Sequence, residues 1–476
     1  MVCVNSTELE IIKLDQCIDF TALHRVNPQR YPFILESSAQ AEDILSENIS
    51  SSNQDQNKNA RYDILFAFPL ESITLHSDNK LSGNVIDAKK DFLSNLDLNI
   101  LNYKNNKDSN CSSSLPFPLP FTGGWFVYLS YELAAQIERR LELPLSEKLS
   151  ITAKLIRIPV AIVHDKQTGI QSIIAEREYK DKIELILEDI KSCENNEILS
   201  EKNNIELIEE VSERYIESIK KIKNYIKEGD VFQVNLSRLW KTNKINSLDS
   251  INLYQSLKKS NPAPFSAYVS FDGLKIISSS PERLVKVKDG KVQTRPIAGT
   301  RARKNETSAD IESLKELIAH PKERAEHIML IDLERNDLGR ICVPGSIHVD
   351  ELMTLESFQH VHHIVSNVSG DLKEGKTPGD VIRAVFPGGT ITGCPKERCM
   401  QIISELEAMP RGAYTGSLGY INHDGSMDLN ILIRTFELSD NQLSLRAGAG
   451  LVADSIAENE LQETRAKAKG LLEALV

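Results

Sequence analysis

The chain has 476 residues, 41% of them hydrophobic and 26% charged, a length that calls for one large interwoven core or two to three domains. With 56 Lys plus Arg against 68 Asp plus Glu, the formal net charge is −12, which argues against nucleic-acid or anionic-membrane partners but leaves room for a local basic pocket. No apolar run approaches the roughly 20 residues that span a bilayer, no secretory signal opens the chain, and the seven scattered cysteines form no CxxC pair, so a cytoplasmic protein with reduced thiols is expected.

Three polar, turn-rich stretches punctuate the chain, at 46–61, 103–114 and 192–204. The third separates a half with weak chemical signals from one with strong signals. It places the main boundary near residue 200, between an N-terminal region 1–200 and a region 205–476. From Tyr215 to Lys227 apolar residues recur at helical spacing, and Gly229 follows as a stop. The segments 231–240, 265–271, 274–280 and 291–297 alternate as strands do, and so do 416–421, 429–438 and 443–452. Helices are expected at 308–320, 322–337, 395–407 and 458–475. Runs of strands with helices between groups predict an α+β fold, in which large antiparallel sheets pack together under a cover of helices.

Several constellations carry chemistry. Glu323 and Glu326 stand three apart on one expected helix, and Glu460 and Glu463 repeat that spacing on another. Each pair shares a face. The four carboxylates are either solvated acidic faces or, if the faces meet, a site for Mg²⁺, which takes a few carboxylates and keeps positions open for a substrate oxygen. Lys467 lies one turn beyond Glu463, placed for a salt bridge or for a substrate carboxylate. The segment FPGGTITGCPKE (386–397) is either a plain turn with a cap or an anion-binding helix start. Gly448 and Gly450 within RAGAGLV mark either a bulge or a close approach of ligand to backbone. Arg434 interrupts an apolar strand and needs an anionic partner, structural or ligand. His363, in the pair His362–His363, is either structural or catalytic. No GxSxG, P-loop or GxGxxG motif is present.

The segments SSSPERLV (278–285), TRPIAGTRAR (294–303), ERAEHIMLIDLERNDLGR (323–340), FPGGTITGCPKERCMQIISELE (386–407) and ENELQETRAKA (458–468) occur in this order. Together they resemble the chorismate-utilising enzymes, which include the anthranilate, aminodeoxychorismate, isochorismate and salicylate synthases. The resemblance covers residues 205–476 strongly. It reaches the N-terminal half through FILES (33–37) and GGWFVYLSYE (123–132), segments that in this family belong to one intertwined fold. The resemblance implies Mg²⁺ held by Glu326 and Glu463, with Glu323 and Glu460 close behind. It implies substrate contacts from Thr390, Tyr414, Arg434, Lys467 and the backbone at Gly448 and Gly450. It also implies that Glu282 is the general acid for the leaving 4-hydroxyl and that His363 lies near the reacting ring. Ser37 is the implied contact of the family's tryptophan site. A glutamine amidotransferase subunit (component II) is the implied partner, because no glutaminase motif is present in this chain.

Two positions bear on the branch. Isochorismate and salicylate synthases carry a lysine base where this chain has Gln233, and glutamine cannot deprotonate water. Many aminodeoxychorismate synthases carry a nucleophilic lysine where this chain has Ala298, in PIAGT, as anthranilate synthases do. Against that one residue, APFSAY (263–268), QVNLS, VHHIVS (361–366), FPGGTITG and GSLGYI resemble the aminodeoxychorismate branch. The resemblance therefore implies an aminase that places nitrogen at C4 of chorismate, with an anthranilate synthase component that also eliminates pyruvate as the alternative.

Overall fold

A computed structural model describes residues 3–5, 9–38, 61–106, 118–144, 150–193, 205–243, 245, 248–303, 310, 321–357 and 361–476. Its frame is two antiparallel sheets of thirteen and eleven strands. Across the larger sheet the order is Cys3–Asn5, Leu9–Lys13, Ile170–Glu176, Val160–Asp165, Tyr62–Ala67 and Phe33–Glu36. It continues through Phe265–Phe271, Leu274–Ser280, Thr435–Ser439, Gln442–Leu451, Gln233–Lys241 and Ile208–Glu209. Neither sheet is confined to one side of residue 200. The strand Phe33–Glu36 pairs with Phe265–Phe271, and in the smaller sheet Gly124–Leu129 pairs with Ser417–Asn422.

The two sheets face each other across an apolar layer that includes Phe33, Phe66, Val269 and Ile276 from one and Phe126, Ile156 and Leu418 from the other. Phe33 stacks on Phe126 with ring centroids 4.2 Å apart. Each such buried ring stabilises the fold by roughly 1.5–3 kcal/mol. Helices cover the outer faces. Phe20–Val26, Lys182–Cys193, Ser250–Ser260 and Ala457–Glu473 pack on the larger sheet, while Phe92–Asn106, Pro321–Gly339 and Pro378–Val385 pack on the smaller. The expected helix near 215–227 runs Ser212–Glu228, buries Tyr215, Ile219 and Ile222 along one stripe, and stops at Gly229 with φ +84°. The expected helix 308–320 lies outside the described residues except for Asp310. No helix among the described residues is long and apolar enough to cross a membrane.

Two expected strands are corrected: 291–297 breaks at Pro296 into Lys291–Arg295 and Ile297–Ala302, both in the smaller sheet, and 429–438 breaks as well. The apolar run 429–438 is two strands: Met427–Asn430 belongs to the smaller sheet and Thr435–Ser439 to the larger. Between them the chain steps from sheet to sheet, Leu432 N–H donates to Gly416 O at 2.8 Å, and Arg434 takes φ +51°. A second step lies beside it, between Leu274–Ser280 and Arg283–Lys288, and it carries Glu282. The two steps are bonded together, Ile431 N–H to Glu282 O at 3.0 Å and Ser279 N–H to Arg434 O at 3.1 Å. The fold thus sets a carboxylic acid and a guanidinium on adjoining steps where the chain changes sheets.

Candidate active site

The Glu282 side chain is buried, with 4% of its surface exposed. Its Oε1 accepts one long hydrogen bond, 3.4 Å from the Ile297 N–H. Burial pushes the carboxyl up to about 7. The Thr390 hydroxyl lies beside it without forming a well-shaped bond, and together with the Ile297 N–H and the charges of Lys467 and Arg434 it pulls weakly the other way. Thr390 is held in the short turn Gly389–Ile391. Ala298 directly follows Ile297 on the strand Ile297–Ala302, which pairs with Val361–Asp371, the strand that carries His363.

Arg434 is a cation without a counter-ion in hand. Burial lowers its pKa and only the charge of Glu282 opposes that, and among the described residues no carboxylate lies within ion-pair distance of it. A non-glycine residue at φ +51° is strained by roughly 1–3 kcal/mol, a cost the surrounding sheet steps impose. His363 is fully buried and held near pKa 3 by burial, with the charges of Arg434 and His362 adding to the effect, so its imidazole is neutral. The site therefore contains a neutral acid, a neutral imidazole and an uncompensated guanidinium, an arrangement that receives an anion and delivers a proton.

The strand Gln442–Leu451 forms the adjoining wall. Gly448 and Gly450 sit in regular register opposite Ser237 and Asn235, so neither marks a bulge. A methyl at Gly448 would lie 2.7 Å from the Tyr414 hydroxyl and 2.7 Å from Leu236 O. Lys467 Nζ donates to Gly448 O at 3.0 Å and pairs with Glu463 Oε1 at 2.8 Å. Tyr414 is buried, and its hydroxyl is pushed up to about 12 by burial. Beneath it Glu407 joins Arg411 (2.7 Å) and Arg446 (2.8 Å), and Arg411 also donates to Asn235 O and Ile391 O. Those two arginines hold Glu407 below the usual carboxylate range against the effect of burial.

Glu323 and Glu326 lie on Pro321–Gly339, which packs on the strands bearing Ala298 and His363, whereas Glu460 and Glu463 lie on Ala457–Glu473, which packs on the strand of Gly448 and Gly450. Four carboxylates flanking one site suit a hard cation, yet among the described residues no three acidic, histidine or cysteine side chains converge to metal-binding distance. Ser37 is buried, its N–H bonded to Asp63 Oδ1 at 2.8 Å. Its neighbours Leu35 and Glu36 line a separate cavity of about 560 Å³ with Pro264, Phe265, Arg283 and Asn430.

Sequence reasoning missed three groups. Glu334 is buried beside Gly389, its carboxyl pushed up by burial and by the charge of Asp337. Asn235 lies against Gly448. Arg411 ties together the segments carrying Thr390, Tyr414 and Asn235. Only the LERND run around Glu334 carries a periodic hint, as a helix residue three before Asp337.

The doubled-sheet fold with its site at the sheet steps defines a class, and the chain belongs to it: residues 49–473 match the chorismate binding enzyme family. An anthranilate synthase component I-like protein from Synechocystis is 42% identical over 78% of this chain and 76% of its own length. Aminodeoxychorismate synthase component 1 from Bacillus subtilis is 39% identical over 75% of this chain and 77% of its own. Among solved structures, anthranilate synthase component I from Streptococcus pneumoniae TIGR4 superposes with a TM-score of 0.75 at 30% identity, covering 91% of this chain and 95% of that one.

Proposed function

We propose that the protein is the chorismate-aminating component of a cytoplasmic aminodeoxychorismate synthase, turning chorismate and ammonia into 4-amino-4-deoxychorismate. The observation that carries the reading is Glu282, a carboxyl near pKa 7 set beside the uncompensated Arg434. Chorismate is a dianion, and its 4-hydroxyl leaves only when protonated. Arg434, Lys467 and Tyr414 bind and orient the carboxylates, with the backbone at Gly448 and Gly450 admitting them closely. Glu282 gives its proton to the departing oxygen and, as carboxylate, later takes one from the entering nitrogen. Thr390 lines the ring, and neutral His363 lies over it as a hydrogen-bonding wall. Mg²⁺ fits the donor chemistry of Glu326 and Glu463, with Glu323 and Glu460 behind them, and when bound would neutralise the ring carboxylate. Ammonia would come from a glutamine amidotransferase subunit, and the cavity near Ser37 suits a tryptophan-sized ligand.

Ala298 shapes the order of bond making. A methyl cannot attack the ring, so a small nucleophile, ammonia or water, adds at C2 as the hydroxyl leaves C4, and ammonia then enters at C4 as the group on C2 leaves with its bonding pair. Ala298 is also the observation that favours the second reading, an anthranilate synthase component that eliminates pyruvate. Incubation with chorismate, Mg²⁺ and an ammonium salt decides between them. The C4 amine with no covalent adduct on the quenched enzyme supports the first reading. Anthranilate plus pyruvate overturns it, and the C4 amine with an adduct refutes the bond order alone.

A further inference from the structure

Across three neighbouring strands of the larger sheet, Asp63, His164 and Gln171 stand directly opposite one another, so their side chains share one face. The Gln171 amide clamps the backbone of Ile18, accepting from its N–H at 2.8 Å and donating to its carbonyl at 3.0 Å. That clamp sets the preceding residue, Cys17, against the His164 ring, with Sγ 3.7 Å from Nε2. The sulfur also lies 3.5 Å from Gly169 O, a second contact that keeps it there. The other ring nitrogen, Nδ1, is 3.5 Å from Asp63 Oδ2. Asp63 is 7% exposed and is itself fixed: its Oδ1 accepts from the Ser37 N–H at 2.8 Å and pairs with Lys166 Nζ at 2.9 Å. Thiol, imidazole and buried carboxylate therefore stand in series, as a nucleophile, its base and the group that orients the base do.

A carboxylate beside Nδ1 favours the tautomer with its hydrogen on that nitrogen, which leaves the Nε2 lone pair facing the thiol. Of the cysteines whose side chains are described, Cys17 is the exposed one, whereas Cys342 and Cys399 are buried. Buried structural cysteines are inert, and reactive ones are reached by solvent beside a base or a positive charge. We propose that Cys17 is a modification site that exchanges with small-molecule disulfides, with His164 as its base and Asp63 holding that base. In the exchange Nε2 takes the thiol proton and the thiolate attacks one sulfur of the reagent. A new S–S bond forms on Cys17 as the reagent's own S–S bond breaks. The departing thiolate leaves with the bonding pair and takes the proton from the imidazolium. Cys17 is oxidised, the departing sulfur is reduced, and no further oxidant enters. The three residues are distinct from the acid site at Glu282, and the inference does not rest on the reading of the protein as an aminase.

The test is site-resolved labelling of the full chain with 2-hydroxyethyl disulfide near neutral pH, quenched in acid at intervals and read by peptide mass mapping. The Cys17 peptide is expected to gain the mixed disulfide before any other cysteine peptide. An isolated thiol is only a few per cent thiolate at pH 7, so a base in contact leaves room for about a tenfold gain in rate. His164→Gln keeps a polar side chain and removes the base, and it should slow labelling of Cys17 by about tenfold, with the other cysteine peptides unchanged. The unaltered protein supplies a second measurement that needs no variant. Its Cys17 should react about tenfold faster in the native state than in urea, where the three side chains separate. A Cys17 rate unmoved by His164→Gln in a variant that stays folded overturns the site. So does a native rate no faster than the unfolded one, and that comparison decides alone if the variant melts early.

Discussion

Replacing Glu282 by glutamine should separate activity from stability in opposite directions. In the folded chain the carboxyl titrates near 7 against an ordinary 4.5, because burial disfavours its charged form. Below about pH 4.5 it is protonated whether the chain is folded or not, and it costs nothing. As pH rises, the unfolded chain gains by ionising there while the folded chain does not, so stability falls until the folded carboxyl also ionises near pH 7. At about 1.36 kcal/mol per pH unit, the accumulated cost approaches roughly 3 kcal/mol above pH 7. Glutamine keeps the shape and has no such cost. Denaturant unfolding should therefore show Glu282→Gln close to the unaltered protein at pH 4 to 5 and more stable at pH 8, by up to about 3 kcal/mol. The same variant should lose about 10²–10⁴-fold in kcat as a missing general acid does, and the unaltered protein should lose kcat/KM as pH climbs through 7. A stability gap that does not widen between pH 5 and pH 8, or a kcat left intact, refutes the reasoning.

Three further outcomes are expected. Glu326→Gln and Glu463→Gln should each abolish Mg²⁺-dependent turnover and the heat of Mg²⁺ binding while circular dichroism is unchanged, and near-normal binding in either variant sinks the metal assignment. Arg434→Leu should raise the KM for chorismate by about tenfold or more, since hydrogen bonds to charged groups are worth about 1.5–3 kcal/mol, without lowering the melting temperature, because the cation has no internal partner to abandon; a lower melting temperature with unchanged KM would mark Arg434 as structural. Arg411→Met should destabilise the fold by roughly 3–5 kcal/mol in denaturant titration by leaving the buried Glu407 to Arg446 alone and the Asn235 and Ile391 carbonyls without their donor, and a loss under 1 kcal/mol would show that Arg411 is dispensable.

How far the sequence revealed this structure varied with the kind of signal. The strands Phe265–Phe271 and Leu274–Ser280 fall where alternation placed them, with Val269 and Ile276 in the layer between the sheets and Tyr268 and Ile277 on the opposite face under the helices. The α+β architecture followed from the run of strands. The step at 431–434 was illegible: Ile431, Leu432 and Ile433 are as apolar as any strand, and an arginine gives no warning of a left-handed backbone. Spacing showed the two acidic pairs but not how far apart their helices would lie. Glu282 was visible only through resemblance to a family motif, since a lone glutamate before an arginine has no pattern. Asn235 and Arg411 escaped because their significance lies in partners far away in the chain, and no local period encodes those.

One physical cause underlies the whole site. Withdrawal from water raises Glu282, lowers Arg434 and lowers His363, and in each case it favours the form with less charge. An empty pocket of this kind is poorly solvated and nearly neutral apart from its cations. A dianionic substrate reverses part of that balance. In the proposed reading its carboxylates would supply the charge that Arg434 lacks, which favours the charged guanidinium. The same negative charge disfavours ionisation of Glu282, so the acid is held protonated more firmly with substrate bound than without it. Binding and proton delivery are thereby coupled through electrostatics, with no moving part required. The pH limb of kcat, which reports the bound state, is therefore expected above the limb of kcat/KM, which reports the free protein. The two sheet steps make this possible, because Ile431 N–H to Glu282 O and Ser279 N–H to Arg434 O tie them together and so hold the acid and the guanidinium on adjoining crossings.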